Sequence, residues 1–342
     1  MDEKNVSLKS KLLYMLYKSR GQFVSGEKLS EELGVTRAAI WKHIKTLKSK
    51  GFEIQAVTNK GYIYISGPDF ISEDEISSII NTKILRNNIF YFSSIDSTND
   101  YAKKLANEGC PEGTTVIADM QTRGRGRLGR MWSSKHGLGI YMSIVLRPCI
   151  IPMKAPFFTL AASIAVADAL KELYNLDPGI KWPNDIILDD RKVCGILCEM
   201  SCELEGVDYL VIGIGMNVFH DENDFEDEFR NAATSVMLAL KNKNIDERYD
   251  VRRNYIIAKI INRLDEIYDK IINNDRQSVI DLYRRYSVTI GRRLKFISGN
   301  EEFEADALDI NEDGSLVVRK DDGTECSLIS GEVSVRGIMG YI

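Results

Sequence analysis

Histidine and cysteine are scarce in this 342-residue chain, and the few present lie scattered. The three histidines, His43, His136 and His220, form no cluster that suggests a metal motif. The six cysteines, Cys110, Cys149, Cys194, Cys198, Cys202 and Cys326, do not resemble a disulfide framework. Cys194, Cys198 and Cys202 are spaced four apart and would share a face on a helix. Their surroundings, Val193-Cys194-Gly195-Ile196-Leu197-Cys198-Glu199-Met200, read as a strand instead. At about 3.3 Å per residue, the outer two then stand roughly 26 Å apart, beyond one metal's reach. No run approaches the roughly 20 apolar residues of a membrane helix. Met1-Asp2-Glu3-Lys4-Asn5 lacks the apolar core of a secretion signal. The expectation is a cytoplasmic protein, free of membrane contact, with no metal held by protein side chains.

What is present is an ordinary globular balance, 44% hydrophobic and 28% charged, over a length that predicts two or three domains. The charge is unevenly spread. Residues 1–67 hold 12 Lys/Arg against 6 Asp/Glu, and the remainder holds 33 against 44. A basic head on an acidic body points the head toward nucleic acid.

Within the head, Val6, Leu8, Leu12, Leu13, Leu16 and Tyr17 have helical spacing over 6–19. Ser25 can cap a second helix over 26–33, which Gly34 ends. Thr36 caps a third, running to about Lys50. Ile40, Ile44 and Leu47 should be buried, leaving Arg37, Lys42, His43, Lys45, Thr46 and Lys48 outward. A basic outer face on the second helix of a helix-turn-helix suits the major groove. Strands at 52–57 and 62–65 flank a turn at Thr58-Asn59-Lys60-Gly61 and make a wing. The DNA-binding candidates are Gly26, Thr36, Arg37, Lys42, His43 and Lys45, and Ser66-Gly67-Pro68-Asp69 reads as a linker.

The body's most unusual stretch is Gln121-Thr122-Arg123-Gly124-Arg125-Gly126-Arg127-Leu128-Gly129-Arg130-Met131-Trp132. Glycines let a ligand approach the backbone, and arginines match carboxylate or phosphate. Composition alone leaves open a solvated basic loop or a nucleic-acid patch. With so few apolar residues, the loop should be mobile when empty. Ser72-Glu73-Asp74-Glu75 has the form of a capping box. A strand at 89–92 leads to Ser97-Thr98-Asn99 at a strand-to-helix turn, where these side chains cap the helix or face a ligand. Strands follow at 115–119 and 137–147, then a core helix at 155–174. After Lys181-Trp182-Pro183-Asn184-Asp185, strands at 186–188, 192–203 and 209–217 form an antiparallel meander, with a turn at Glu205-Gly206. Gly195, Gly213 and Gly215 inside strands favour a pocket lined by the sheet. Lys192, beside apolar neighbours, either snorkels or pairs with an anion. Residues 220–229 read as an acidic solvated loop, with helices at 249–273 and 276–286. Short strands then alternate with turns at Ser298-Gly299-Asn300 and Glu312-Asp313-Gly314. The body is α+β, not a doubly wound parallel sheet.

Five of these motifs, in order, resemble the catalytic domain of biotin–protein ligases. They are Ser97-Thr98-Asn99, Gln121 with the arginine–glycine loop, Lys181-Trp182-Pro183-Asn184-Asp185, Lys192 with Gly195-Ile196-Leu197, and Gly213-Ile214-Gly215-Met216-Asn217. Ala233-Thr234-Ser235 also matches. With the winged head, the whole chain is similar to the bifunctional biotin ligase and biotin operon repressor family. The resemblance implies a winged helix-turn-helix over 1–67, a catalytic domain with a mixed or antiparallel sheet over 70–287, and an SH3-like β-barrel over 288–342. It implies that biotin and ATP give biotinyl-5'-AMP, with Mg²⁺ bridging phosphates, and that a lysine of the biotin carboxyl carrier protein of acetyl-CoA carboxylase then takes the biotin. Ser97, Thr98, Asn99, Gln121, Arg125, Gly126, Arg127 and Lys192 would bind biotin. Arg127, Arg130, Trp132, Lys181 and Asn217 would serve the nucleotide, while Trp132 lies over the ligand, closes the loop or packs in the core. Lys192, Arg125, Arg127 and Asp185 are the implied catalytic set, with Asp185 orienting the incoming amine. Biotinyl-5'-AMP would act as corepressor, favouring a homodimer through a sheet edge that binds a two-part biotin operator. A ligase without repressor function, a lipoate ligase-like enzyme, and a transcription factor with a vestigial sensing domain are the alternatives. Trp41 departs from better-known recognition helices and leaves the operator sequence open.

Overall fold

The computed structural model describes residues 7–85, 88–203, 206–243, 250–298, 301–329 and 333–336. The expected turns at Glu205-Gly206 and Ser298-Gly299-Asn300 fall partly outside them. The chain divides into two compact units.

The first unit holds the described residues to Asn81 together with residues 250–258. Its helices are α1 (Leu8–Lys18), α2 (Gly26–Leu33) and α3 (Arg37–Ser49), followed by the hairpin β1 (Glu53–Val57) and β2 (Gly61–Ser66) and by α4 (Glu73–Ile79). Each helix begins where a hydroxyl can satisfy a free N–H: Ser7, Ser25, Thr36 and Ser72 all accept such a bond. Gly34, at φ 65°, ends α2 in the left-handed region. Leu12, Leu16, Leu29, Ile40, Ile44 and Leu47 form the core. The hairpin and α3 thus follow the expected pattern, except that His43 is half-buried.

Residues 250–258 pack onto this head. Tyr17 stacks on Tyr255 with ring centroids 3.7 Å apart, and its hydroxyl donates to the Asp250 carbonyl at 2.9 Å. Arg252 is fully buried and lies 3.0 Å from the Glu75 carboxylate. This corrects the capping-box expectation at Ser72. Ser72 Oγ does accept from the Glu75 N–H at 3.3 Å. The Glu75 side chain, however, turns away from the helix end to neutralise Arg252, because a buried guanidinium without a counter-charge is far costlier than a lost cap.

The second unit is built on a seven-stranded sheet in the order β3-β4-β5-β9-β8-β7-β6. The strands are β3 (Asn88–Phe92), β4 (Thr114–Ala118), β5 (Gly139–Leu146), β6 (Gly179–Lys181), β7 (Asp185–Leu188), β8 (Arg191–Glu203) and β9 (Gly206–Asn217). Only β3 and β4 pair in parallel, so the sheet is mixed and mostly antiparallel. The meander β7-β8-β9 is as expected; β6, three residues long, was not anticipated, since so short a strand shows no period. Helix α5 (Thr98–Asn107) covers one sheet face, burying Ala102 and Ala106 against Val116, Val145, Tyr209 and Val211. Helix α6 (Pro156–Tyr174) packs beneath β8, on the face that carries Cys194, Ile196 and Cys198. The segment Pro152–Tyr174, which contains α6, reaches the length and hydropathy of a membrane span, contrary to expectation, but its most apolar stretch is 83% buried inside the protein. Its Leu, Ala, Phe and Val contact neighbours all round, which accounts for the apolar composition.

Helices α7 (Val236–Asn242), α8 (Arg253–Ile272) and α9 (Arg276–Tyr286) follow. The chain ends in a second sheet of β10 (Arg293–Ser298), β11 (Glu301–Ile310), β12 (Leu316–Lys320), β13 (Glu325–Leu328) and β14 (Val333–Arg336). All its pairs are antiparallel, in the order β13-β12-β11-β10-β14, around Leu294, Phe296, Ala305, Ala307, Leu316 and Val318.

Candidate active site

Side chains alternate across a strand. Ser143 on β5, Gly213 and Gly215 on β9, and Gly195 on β8 therefore share the α5 face, where the register aligns Ser143 with Gly213 and Gly195 with Gly215. These small residues leave a depression in the sheet. The space is filled by side chains from elsewhere. A Cβ on Gly213 would lie 2.2 Å from Asn99 Oδ1, and one on Gly215 would lie 2.6 Å from the Trp132 ring. On Gly195 it would approach Trp132 and Lys192 Nζ at about 3 Å. The strand glycines thus mark close approach, with Asn99, Trp132 and Lys192 as the approaching groups.

Above this floor sits the N-terminus of α5. Ser97 is buried and caps the helix, accepting from the Asp100 N–H at 3.4 Å. The Thr98 N–H and hydroxyl both donate to Gln121 Oε1, at 2.8 and 3.0 Å. Ser143 Oγ lies 2.8 Å from Thr98 Oγ1 and 2.6 Å from Asn99 Oδ1. The Asn99 amide donates to Glu199 at 2.7 Å, and Lys103 pairs with the same carboxylate at 2.9 Å. Three predicted residues, Thr98, Asn99 and Gln121, are therefore brought together. Ser143 and Glu199 complete the network and were missed. Their only sequence signal is a polar residue in strand register with a glycine or apolar neighbour, which no motif flags.

The arginine–glycine loop closes on itself. The Trp132 N–H donates to the Gly124 carbonyl at 2.9 Å, and the Gly126 N–H to the Arg130 carbonyl at 2.8 Å. Gly124 is needed for space, since a Cβ there would meet the Trp132 carbonyl at 2.6 Å. The loop's arginines diverge. Arg123 pairs with Asp96 at 3.0 Å, and Arg130 is exposed. Arg125 turns to α5 and β8, pairing with Asp100 and lying 3.6 Å from Glu199. Arg127 reaches furthest inward, donating to Asn184 Oδ1 at 2.9 Å. Burial pulls its guanidinium below its ordinary range, and the nearby Asp185 charge opposes that pull. A cavity of about 200 Å³ lies between Arg127, Leu128, Pro183, Asn184, Ile196 and Thr159.

Lys192 Nζ is 2.6 Å from Asp185 Oδ1 and 5.4 Å from the centre of the Trp132 ring. Of the two sequence readings for Lys192, pairing with an anion holds. Its backbone is clamped by residues 232–234: the Lys192 N–H donates to the Ala232 carbonyl at 2.8 Å, and its carbonyl accepts from Thr234 at 2.9 Å. Asn217 is buried and donates to the Thr234 carbonyl at 3.1 Å. Lys181 is buried in register with Asp185. Trp182 is a packing residue, donating through Nε1 to the Gly314 carbonyl at 3.1 Å. Trp132 packs on the floor glycines, and its buried Nε1 meets no hydrogen-bond partner among the described residues. The acidic segment after Asn217 is not wholly solvated, because His220 is buried and stacks on Phe225 at 5.5 Å. Among the described residues no group of three His, Cys, Asp or Glu could hold a metal ion.

In the first unit, Thr36 caps α3 and Gly26 opens α2. Arg37, Lys42 and Lys45 are exposed on α3, whereas His43 is half-buried and leaves the outer face.

Comparison with known proteins agrees with both halves. Residues 91–217 match the biotin/lipoate A/B protein ligase family, 9–63 a helix-turn-helix domain, and 289–336 the biotin protein ligase C-terminal domain. The chain is 37% identical to the bifunctional ligase/repressor BirA of Bacillus subtilis, over 93% of its own length and 95% of that protein's. It is 31% identical to BirA of Escherichia coli, over 95% of this chain and 96% of the other. Among solved structures it resembles the biotin protein ligase of Aquifex aeolicus in complex with biotin and ATP. That match has a TM-score of 0.60 at 28% identity and covers 73% of this chain and 98% of the other. A glycine-floored sheet under a hydroxyl-and-amide cluster, an inward arginine from a glycine-rich loop, and a basic winged head thus occur together in one chain, which belongs to the family of bifunctional biotin ligase/repressors.

Proposed function

We propose that the chain joins biotin to ATP, transfers the biotin to a lysine of a carrier protein, and represses transcription when it holds the adenylate. In the first step the biotin carboxylate attacks the α-phosphorus of ATP, pyrophosphate leaves, and biotinyl-5'-AMP forms. In the second the carrier's amine attacks the acyl carbon and AMP leaves. Two anionic groups must meet in the first step, so the demand on the protein is charge neutralisation and positioning. The observation that carries this reading is the gathering of Arg127, Trp132 and the Lys192–Asp185 pair around the glycine floor, beside Thr98, Asn99 and Gln121.

Thr98, Asn99 and Gln121 supply paired donors and acceptors suited to a ureido head. Ser97 acts through the helix cap. Arg127 and Lys192 stabilise the negative charge that builds between acyl oxygen and phosphate. Arg125 and Gly126 shape the mouth of the biotin site, and Arg130, Lys181 and Asn217 serve the nucleotide side. Asp185 positions Lys192 and accepts a hydrogen bond from the incoming amine. A carboxylate is a far weaker base than an amine, so orientation is its main task. Among the described residues no cluster of His, Cys, Asp or Glu could cage the Mg²⁺ expected with ATP, so the phosphates themselves would supply its main ligands. The labour divides over 1–67 for DNA, 70–287 for chemistry and 288–342 as an accessory domain, in the cytoplasm.

Beyond Ile196, the outer edge of β8 has no strand partner among the described residues. Unpaired edges are templates for strand addition. The adenylate-bound chain pairs there with a second copy, two heads then span a two-part operator, and carrier protein competes for the same edge. Biotin-dependent ATP–pyrophosphate exchange tests the enzyme, with lipoate as control. Exchange driven by lipoate and not biotin would overturn it, and failure to bind the promoter DNA of its own biotin genes with biotin and ATP present would remove the repressor.

A further inference from the structure

The outer face of α3 carries an apolar residue of a kind that basic DNA-binding faces need not have. Ala38, Trp41, Lys42 and Lys45 follow one another at i, i+3, i+4 and i+7 and are all exposed. That spacing puts them in one stripe along the helix, opposite the buried Ile40, Ile44 and Leu47. Trp41 is 59% exposed, and the group placed over its ring is the Lys45 ammonium, 5.5 Å from the centre. A tryptophan this open contributes little to the core of the head. It lies in the first half of the helix, the part that reaches base edges when such a helix enters the major groove. The phosphate-binding job is already covered by Lys42, Lys45 and Lys48, all exposed on the same helix.

In the major groove the apolar feature of a base edge is the 5-methyl of thymine. An indole face matches it; a phosphate or a sugar edge does not. We propose that Trp41 is a specificity-determining residue that packs on a thymine methyl in each operator half-site, with Lys45 held over the far part of the ring and directed to the backbone. The small Ala38 one turn earlier leaves room for the base edge to approach. The proposal rests on the repressor reading and deepens it.

The test begins with selection of preferred sites from a randomised duplex library, using the full chain with biotin and ATP. Each thymine of the selected site is then replaced by deoxyuridine, which removes the methyl and nothing else. Wild type should lose about fourfold in affinity at one thymine per half-site, the worth of one buried methyl-sized group. Trp41→Ala should bind the unmodified site more weakly and be indifferent to that replacement, and Trp41→Phe should stay sensitive. Binding of Trp41→Ala to random duplex, its slope of log affinity on log salt, and its biotin-dependent pyrophosphate exchange should match wild type. Indifference of wild type to every deoxyuridine would overturn the proposal, as would a Trp41→Ala variant still sensitive at the same thymine or equally weakened on random duplex. Selection that enriches no sequence would overturn the repressor reading itself, an outcome distinct from a selected site that ignores the methyl.

Discussion

At the scale of single residues, the loop arginines do different work despite their repeated sequence. Arg127 alone is drawn inward, to Asn184 and the charge of Asp185. Arg127→Ala should therefore lower adenylate formation by roughly 10²-fold, the usual loss when one preorganised charge donor is removed. The thermal midpoint should stay within about 2 °C, because the loop contributes little core. Pre-steady-state burst kinetics and the adenylate off-rate measure this, and unchanged values would remove Arg127 from the site. A subtler change is Gly215→Ala. Its new methyl would lie 2.6 Å from the Trp132 ring, so the ring must leave the floor. Adenylate retention should fall about tenfold while folding is preserved, and Trp132 fluorescence should shift to the red as the indole meets water. Retention at the wild-type level with an unshifted spectrum would show that the floor tolerates a side chain. Motifs made Arg127, Lys192 and Gln121 legible in the sequence because their residue types are chemically unusual in their settings. Ser143 and Glu199 were not, since one serine or glutamate in a strand is ordinary until register places it under Asn99.

At the scale of elements, periodicity identified what packing enforces. The helix α2 could be read to the residue because Ser25 and Gly34 mark both ends with side-chain and backbone chemistry. Sheet order could not be read. Strand β5 sits between β4 and β9 through pairings that no local pattern encodes, and the turn of Glu75 toward Arg252 depends on a residue far along the chain. The segment from Val218 to Ser235 shows how such an element matters. Burial pulls the His220 imidazole down to about 4, with Lys135 adding to the effect and Asp224 opposing it. An unfolded histidine titrates near 6.5. As pH falls below about 6.5 the unfolded chain takes up a proton that the folded chain refuses until about 4, so the folded state loses stability across that window. The full loss is of order 3 kcal/mol at that shift. Ser235 Oγ donates to the His220 carbonyl at 2.7 Å, and the neighbouring Thr234 braces Lys192. Wild type should thus show a lower urea midpoint near pH 5 than near pH 7, and His220→Gln should flatten that difference. Parallel curves for the two proteins would place the acid sensitivity elsewhere.

At the scale of the whole molecule, the uneven charge assigns the partners. The chain is acidic overall, with a net charge of −5, yet its first 67 residues are basic. Nucleic acid is therefore expected to meet the head and to be repelled by the body. Each lysine on a phosphate should add about 0.9 to the slope of log affinity on log salt, so replacing Lys42 and Lys48 by Gln should flatten that slope by about two. The proposed dimerisation rests on a different feature, the edge of β8 beyond Ile196, which has no strand partner among the described residues. Met200 is 48% exposed there, and a charge at that position would be desolvated if two edges paired. Met200→Lys should weaken adenylate-dependent self-association at least tenfold by sedimentation equilibrium. Operator binding should weaken in step, because two linked heads gain from their effective concentration and single heads do not. Pyrophosphate exchange should stay within about twofold, since Met200 touches none of the reacting groups. Carrier biotinylation separates the two uses of the edge: if the carrier docks on the same strand, the variant should biotinylate it more slowly at low carrier concentration and normally at saturation. A variant that dimerises as wild type does would move the interface off this strand, whatever its effect on the carrier.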